Sequence, residues 1–183
     1  MNPSGHTIQS LIDLHADTIP EQKYVVYPET GSSCTWKEFK QRVQSVACYL
    51  SEKGLSREMP VAGLLGNGQT ALELFLGGMY GGFQVLLANP LSGRDILAYV
   101  IEHSETKILF IAHQYKELAE QALSQLSNKP EIILSYSDNL TAWNDTIPDK
   151  KLLKYIPNPK EKGLLIYTSG TTGRPKGVIH THE

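Results

Sequence analysis

The sequence is poor in the features that mark disulfide-rich, nucleic-acid-binding or exported proteins. Cys34 and Cys48 are the two cysteines among 183 residues, and their spacing is neither a CxxC motif nor a disulfide framework, so we expect reduced thiols. The 17 basic and 19 acidic residues form no basic stripe and give a formal net charge of −2. This balance excludes an implied nucleic-acid or anionic-membrane partner. Residues 1–10 lack the basic start and apolar core of a signal peptide, so a cytoplasmic location is expected.

A long uninterrupted apolar run is also absent. The most apolar stretch, residues 72–90, carries Glu73, Gln84 and four internal glycines, which favours a buried helix and a buried strand over a membrane segment. The hydrophobic fraction of 40% and charged fraction of 20% are near the average of globular proteins. The sequence therefore predicts one soluble folding unit, or part of one.

The clearest helix is predicted over Thr35–Lys53. Thr35 and Glu38 form a capping-box pattern at its start, and Gly54 is a plausible stop. Its apolar residues recur at spacings of three and four, which places them on one face. These residues are Phe39, Val43, Val46, Ala47 and Leu50.

Apolar strand patterns and helical patterns alternate along the rest of the chain. Strands are predicted at "PVAGLL", "QVLLA", "KILFIA" and "EIILSY", all of them buried. Helices are predicted near Thr70–Tyr80, over Arg94–His103 with Ile96, Leu97, Val100 and Ile101 inward, and over Tyr115–Leu126, where Leu118, Ala119, Ala122, Leu123 and Leu126 are buried. Such alternation predicts an α/β fold of βαβ units around a mainly parallel sheet. Residues 137–162 break the rhythm and predict a long surface connection, with a short helical possibility near Leu140–Trp143.

The run "YTSGTTGRPKGV", residues 167–178, concentrates glycines and hydroxyls between the strand patterns "GLLIY" and "GVIHTH". Glycines let backbone N–H groups turn toward an oxyanion, and Lys176 can supply a positive charge to a leaving phosphate. The run is not a Walker loop, because Pro175 precedes Lys176 and Gly177 follows it. The flanking strand patterns offer no helix dipole, so binding would rest on loop amides, hydroxyls and Lys176.

The order of these residues resembles the signature loop of the adenylate-forming superfamily, which comprises acyl-CoA synthetases, peptide-synthetase adenylation domains and luciferases. All nine specified positions of (S/T)-S-G-(S/T)-T-G-x-P-K-G match, from Thr168 to Gly177. Two earlier segments are similar to the family in the same order: "CTWKEFKQRVQSVACYLSEKGL", with Phe39 where leucine is usual, and "ALELFLGGMYGGFQVLLANP".

The resemblance implies ATP-dependent activation of a carboxylic acid as an acyl-adenylate with release of pyrophosphate, and coenzyme A as acceptor. The implied ligands of the β- and γ-phosphates are Thr168, Ser169, Gly170, Thr171, Thr172, Gly173 and Lys176, with Mg²⁺ sharing the charge. Arg174 occupies the variable position and inherits no role. The resemblance also places the chain in fatty acid metabolism, acting on small molecules.

Later motifs of the family are absent from residues 1–183, which we interpret as the N-terminal portion of the AMP-binding domain. No catalytic residue and no metal ligand is assigned within the chain, and we expect it to be inactive without the missing C-terminal part, a possible partner. Two alternatives stay open: an adenylation domain that loads a carrier protein, and a truncated non-catalytic protein for nucleotide binding or interaction.

Histidines and aromatic residues near the loop have structural interpretations at this stage. His180 and His182 alternate on the predicted last strand as two metal ligands could, but no third ligand is nearby, so packing is the preferred interpretation. Tyr167 and Trp36 could stack a base, although aromatic residues at such positions are more often part of the core. His103 is expected to be exposed or to cap a helix.

Overall fold

A computed structural model describes residues 5–28, 30–135, 142–169 and 173–183 of the chain. The helices are α1 (Ile8–Thr18), α2 (Trp36–Glu52), α3 (Gln69–Tyr80), α4 (Arg94–His103) and α5 (Lys116–Leu123). The strands are β1 (Lys23–Tyr27), β2 (Ser32–Thr35), β3 (Val61–Leu64), β4 (Val85–Leu87), β5 (Ile108–Ala112), β6 (Glu131–Ser135), β7 (Lys162–Thr168) and β8 (Lys176–Thr181).

A six-stranded sheet has the order β6-β5-β3-β4-β7-β8. Strands β6, β5, β3, β4 and β7 are parallel, and β8 pairs antiparallel with β7. The predicted α/β class with a mainly parallel sheet is confirmed. Strands β1 and β2 form a separate antiparallel pair.

Helices cover both faces of the sheet. Alternate residues of β3 and β5 separate into two cores: Ala62, Leu64, Leu109 and Ile111 pack with α4 and α5, whereas Val61, Ile108 and Phe110 pack with α2 and α3. Right-handed crossovers explain the division. The connection from β3 to β4 runs across the sheet in one direction and those from β4 to β5 and from β5 to β6 run in the other, so their helices lie on opposite faces.

The predicted early helix agrees with α2 at both ends. The hydroxyl of Thr35 accepts a hydrogen bond from the amide of Glu38, and the Glu38 carboxylate accepts one from the amide of Thr35. Gly54 follows the helix with a φ of +67°, a conformation that favours glycine. The five predicted apolar residues of α2 are all buried.

Two glycines allow α3 to approach its neighbours closely. A Cβ atom at Gly77 would lie 2.6 Å from Cβ of Val46 on α2, and one at Gly78 would lie 2.5 Å from Cγ2 of Val85 on β4. The glycines of the apolar stretch therefore fit helix packing inside the protein. In the described part of the chain, no helix is both long and apolar enough to cross a membrane.

Three sequence predictions were wrong in detail. Ile96 points outward with 39% of its surface exposed, because the inward face of α4 is formed by Leu97, Val100 and Ile101. Strand β6 lies at the edge of the sheet and is not fully buried, so Ile132 is 42% exposed. The predicted helix Tyr115–Leu126 is shorter, spanning Lys116–Leu123, with Leu118 only partly buried.

The connection from β6 to β7 is not wholly a surface segment. Trp143 is only 2% exposed and packs in the core beside Phe110, with ring centres 5.5 Å apart. It is buried because this connection returns across the sheet on the face of α2 and α3. The structure shows turn residues at 142–145, while residues 140 and 141 of the predicted short helix lie outside the described residues.

Candidate functional site

The glycine- and hydroxyl-rich run joins two paired strands. Thr168 ends β7 and Lys176 begins β8, and the two residues are opposite each other in the ladder. The run connects two strands, as predicted from its flanks, and these strands pair antiparallel. Thr168, Ser169, Gly173 and Lys176 are exposed. The other three predicted ligands, Gly170, Thr171 and Thr172, lie outside the described residues.

Two glycines shape the return of the run into β8. Gly173 has a φ of +92°, which L side chains rarely adopt. Gly177 faces Tyr167 across the strand pair, and a Cβ there would lie 3.2 Å from Cδ1 of Leu165 and 3.4 Å from the Tyr167 ring. A side chain at Gly177 would therefore press on Leu165, while it would meet the Tyr167 ring at an ordinary van der Waals distance.

The loop is located at the carboxyl end of the parallel strands. Strands β4 and β7 are parallel neighbours. Asn89 follows β4 and Ser169 follows β7, so both residues lie at the carboxyl end of these strands. Both line a cavity of about 190 Å³ whose other walls are mainly apolar residues of β4, β7 and α4. The crevice at the carboxyl ends of the strands is where open α/β sheets bind ligands.

Two cationic side chains belong to the loop and its return into β8. Lys176 is exposed, and its ammonium forms no ion pair with a described residue. Arg174 places its guanidinium carbon 5.6 Å from the ring centre of Tyr99 on α4. Thr168 and Ser169 add hydroxyl donors. This set of donors and cations suits an anion with several oxygen atoms.

Tyr167 connects the start of the loop to α4. Its hydroxyl lies 2.7 Å from Nδ1 of His103, and the two rings meet edge to face with centres 5.7 Å apart. Burial and the neighbouring Tyr99 raise the pKa of Tyr167 to about 12. The prediction of a packing role fits Tyr167, which is half-buried against the core. The contacts that α4 makes to both sides of the loop had no signal in the sequence beyond the aromatic residues themselves.

A second polar cluster lies on the opposite face of the sheet. The buried carboxylate of Glu73 accepts hydrogen bonds from Arg42 at 3.0 Å, from Gln69 at 2.8 Å and from the Trp143 indole at 2.8 Å. The sequence identified Glu73 as a charge within an apolar stretch but not its partners. Since the Glu73 carboxylate forms an ion pair and accepts three hydrogen bonds, we interpret the cluster as a structural contact that connects α2, α3 and Trp143.

The two C-terminal histidines do not share an environment. His180 is exposed on β8, whereas His182 follows β8 and is 7% exposed, with its ring against Gly163. Burial lowers the pKa of His182. Among the described residues, no group of three or more His, Cys, Asp or Glu side chains could hold a metal ion.

Comparisons with known proteins give relatives that match nearly the whole chain. The chain is 29% identical over 179 residues to sulfoacetate–CoA ligase of Cupriavidus necator, covering 97% of this chain and 35% of the relative. It is 28% identical over 181 residues to tyrocidine synthase 2 of Brevibacillus parabrevis, covering 98% of this chain and 5% of that protein. The chain therefore spans about a third or less of the length of these two relatives.

Solved structures share the fold. The luciferase-like enzyme of the nonluminescent mealworm Zophobas morio superposes with a TM-score of 0.85 at 20% identity, covering all of this chain and 44% of that one. A fatty acyl CoA synthetase of Mycobacterium tuberculosis gives a TM-score of 0.82 at 21% identity, covering 97% and 35%. The family of AMP-binding enzymes matches residues 12–183. The chain belongs to the AMP-binding enzyme family, the adenylate-forming superfamily of acyl-CoA ligases and peptide-synthetase adenylation domains.

Proposed function

We propose that this chain supplies the pyrophosphate-binding loop of an enzyme that activates a carboxylic acid with ATP and transfers the acyl group to coenzyme A. One observation carries the proposal: the loop Thr168–Lys176 lies at the carboxyl edge of β7, with hydroxyl donors at one end and an exposed lysine at the other. Its residue order is that of the family signature.

The described residues can each contribute to holding a leaving pyrophosphate. Thr168 and Ser169 offer O–H donors, and Lys176 offers an ammonium that is worth more as negative charge grows on the leaving group. Gly173, which is exposed, returns the chain toward Lys176 with a φ of +92°. By resemblance, amides and hydroxyls of Gly170, Thr171 and Thr172 complete the loop. ATP, when bound, supplies the adenylyl group for the acid.

The described residues do not by themselves provide a site for Mg²⁺. No cluster of three candidate metal ligands occurs among them. The exposed charged side chains at the end of the loop, Arg174 and Lys176, are cations and do not bind metal ions. Magnesium is therefore proposed only as an ion carried with the phosphates, with no protein ligand assigned.

Coenzyme A is the proposed acceptor, and a carrier protein is the alternative. Relatives of both kinds match the chain at similar identity, one named as a CoA ligase and one as tyrocidine synthase 2. Asn89 and Pro90 at the end of β4, and Thr171 within the loop, resemble the CoA ligases slightly more. A further candidate is a non-catalytic protein that binds nucleotide or associates with a C-terminal part of such an enzyme. We propose a cytoplasmic location.

The proposal is tested by pyrophosphate binding to the 183-residue chain, measured by calorimetry and by NMR with and without Mg²⁺. We expect weak binding that Lys176→Ala reduces at least tenfold, because a hydrogen bond to a charged group contributes about 1.5–3 kcal/mol. Lys162→Ala is the matched control, since Lys162 lies exposed at the opposite end of the β7–β8 pair.

Two results would contradict the proposal. Equal affinity of wild type and Lys176→Ala would remove the lysine from the site, and absence of binding at millimolar pyrophosphate would leave the loop without its assigned ligand. In the same preparation we expect no ATP–pyrophosphate exchange, and an exchange signal would refute the prediction that the chain is inactive alone.

A further inference from the structure

Helix α4 contacts the loop on both of its sides. Before the loop, the Tyr167 hydroxyl and Nδ1 of His103 are 2.7 Å apart. After the loop's central residues, the guanidinium of Arg174 lies over Tyr99 at 5.6 Å from the ring centre. Tyr99 and His103 are one helical turn apart and their ring centres are separated by 5.2 Å, so they form one aromatic surface on α4.

The space between α4 and the return of the loop is not filled by apolar packing. A cavity of about 360 Å³ lies there, lined from α4 by Tyr99, Asp95 and Glu102 and from the return of the loop by Arg174 and Pro175. Because a cavity leaves few van der Waals contacts across the gap, the loop's position depends strongly on the side chains that cross it. The contact of Arg174 with Tyr99 is such a crossing.

Arg174 contacts the aromatic ring although two carboxylates line the same cavity. Among the described residues it forms no ion pair with Asp95 or Glu102. A cation over a tyrosine face is attracted by the ring while its N–H groups stay available to other acceptors. The geometry thus keeps a second positive charge two residues before Lys176.

We propose that Tyr99 and His103 are positioning residues that hold the two sides of the phosphate loop on α4 through Arg174 and Tyr167. The expected consequence is tighter binding of pyrophosphate, and this part of the inference rests on the proposed function. It assigns a role to Arg174, which occupies the variable position of the signature.

Hydrogen–deuterium exchange of the ligand-free chain tests the positioning directly. We expect His103→Ala and Tyr99→Leu each to speed exchange of the amides of Ser169, Gly173, Arg174 and Lys176 by about three- to tenfold, while amides of β5 are unchanged. Tyr99→Phe keeps the ring face and should leave exchange as in wild type. Tyr167→Phe removes only the hydroxyl and should speed loop exchange less than His103→Ala, which also removes the ring contacts of His103 with Tyr167 and Tyr99. The double variant should exchange no faster than His103→Ala, because His103→Ala has already lost the contact with the hydroxyl.

Unchanged loop exchange in His103→Ala, Tyr167→Phe and Tyr99→Leu would overturn the proposal. So would exchange that rises equally in the loop and in β5, because that pattern means general destabilisation. Tyr167→Phe, which loses a single oxygen atom, keeps the test decisive if a larger substitution fails to fold.

Pyrophosphate titration of the same variants separates this inference from the proposed function. We expect Tyr99→Leu and Arg174→Gln to weaken pyrophosphate binding about three- to tenfold, with Tyr99→Phe unchanged. If the substitutions at Tyr99 and His103 change loop exchange but the wild type binds no pyrophosphate, the positioning role is supported and the proposed function is wrong. If the wild type binds pyrophosphate and Tyr99→Leu and Arg174→Gln bind it equally well, positioning of the loop does not tighten pyrophosphate binding.

Discussion

At the scale of single residues, the pair of glycines on α3 sets a steric constraint in the described core. A Cβ at Gly78 would meet Cγ2 of Val85 at 2.5 Å, which is closer than real Cβ atoms approach. We expect Gly78→Ala to lower the free energy of unfolding by about 1–3 kcal/mol, since overpacking exceeds the small gain in helix propensity. Urea denaturation measures the change.

A second substitution serves as the control for this steric argument. Val85→Ala removes the opposing methyl groups, so the double variant Gly78→Ala/Val85→Ala should be more stable than the sum of the two single losses. Strict additivity would show that the cost at Gly78 comes from something other than Val85.

His182 provides a pH-dependent prediction at the same scale. Burial lowers the pKa of the folded histidine, so below about pH 6.5 the unfolded chain binds a proton that the folded chain resists. Stability from this group is complete above the unfolded pKa and is lost as pH falls from there through the folded pKa. His182→Leu should therefore lose less stability than wild type between about pH 7.5 and 5.5, measured by urea denaturation.

The exposed neighbour supplies the comparison for His182. His180→Leu should keep the wild-type difference between the two pH values, because His180 lies on the exposed strand β8. Equal pH dependence in wild type and His182→Leu would assign the acid sensitivity to the carboxylates instead.

The residue types in the sequence predicted the phosphate loop but not the contacts that hold it on α4. The order Thr168 to Gly177 was sufficient to identify the candidate site, because each position has a distinct chemical requirement. The anchoring by Tyr99 and His103 was not predictable, since a tyrosine and a histidine on a helix have many ordinary roles. Ile96 was assigned to the core wrongly because helical periodicity leaves its exact rotation open by one residue.

At the scale of elements, Glu73 joins two helices and the connection to β7. Glu73→Ala would leave the Arg42 guanidinium and the buried Trp143 indole without their acceptor. We expect a loss of about 2–3 kcal/mol in the free energy of unfolding, moderated because Arg42 is partly exposed. Trp143→Phe keeps an aromatic ring and removes one donor, so it should cost about 1–2 kcal/mol. A Glu73→Ala variant as stable as wild type in guanidinium chloride would show that the Glu73 cluster contributes nothing to the free energy of unfolding.

Sequence patterns predicted the elements of the βαβ core better than those outside it. Helix α2 was located closely because its apolar spacing and its capping residues agree, and α4 was located from its apolar spacing alone. Helix α1 and the β1–β2 pair were not predicted, although Thr7 and Ser10 form a reciprocal cap at the start of α1. Strand β6 has the composition of a buried strand, and only its place at the sheet edge, which the local sequence does not encode, leaves it exposed.

At the scale of the whole molecule, the candidate site lies on the part of the sheet that has the least support. Strand β3 pairs on both sides along Val61–Gly63, whereas β7 pairs with β4 only where Leu164 and Leu165 meet Val85 and Leu86. Strand β8 is at the edge, and Lys176 to His180 are all exposed.

This arrangement predicts unequal local stability, which native-state hydrogen exchange can measure. Amides of β3 and β5, bonded inside the sheet between two layers of helices, should exchange only by global unfolding. Amides of β8 should open at a lower free energy, because their strand is exposed and bonded on one side. Equal protection of Ile179 in β8 and Leu109 in β5 would show that the sheet opens as one unit. If pyrophosphate binds Thr168 and Lys176 as proposed, it should then protect β8 selectively while leaving β5 unchanged, because ligand binding stabilises only the states that contain the site.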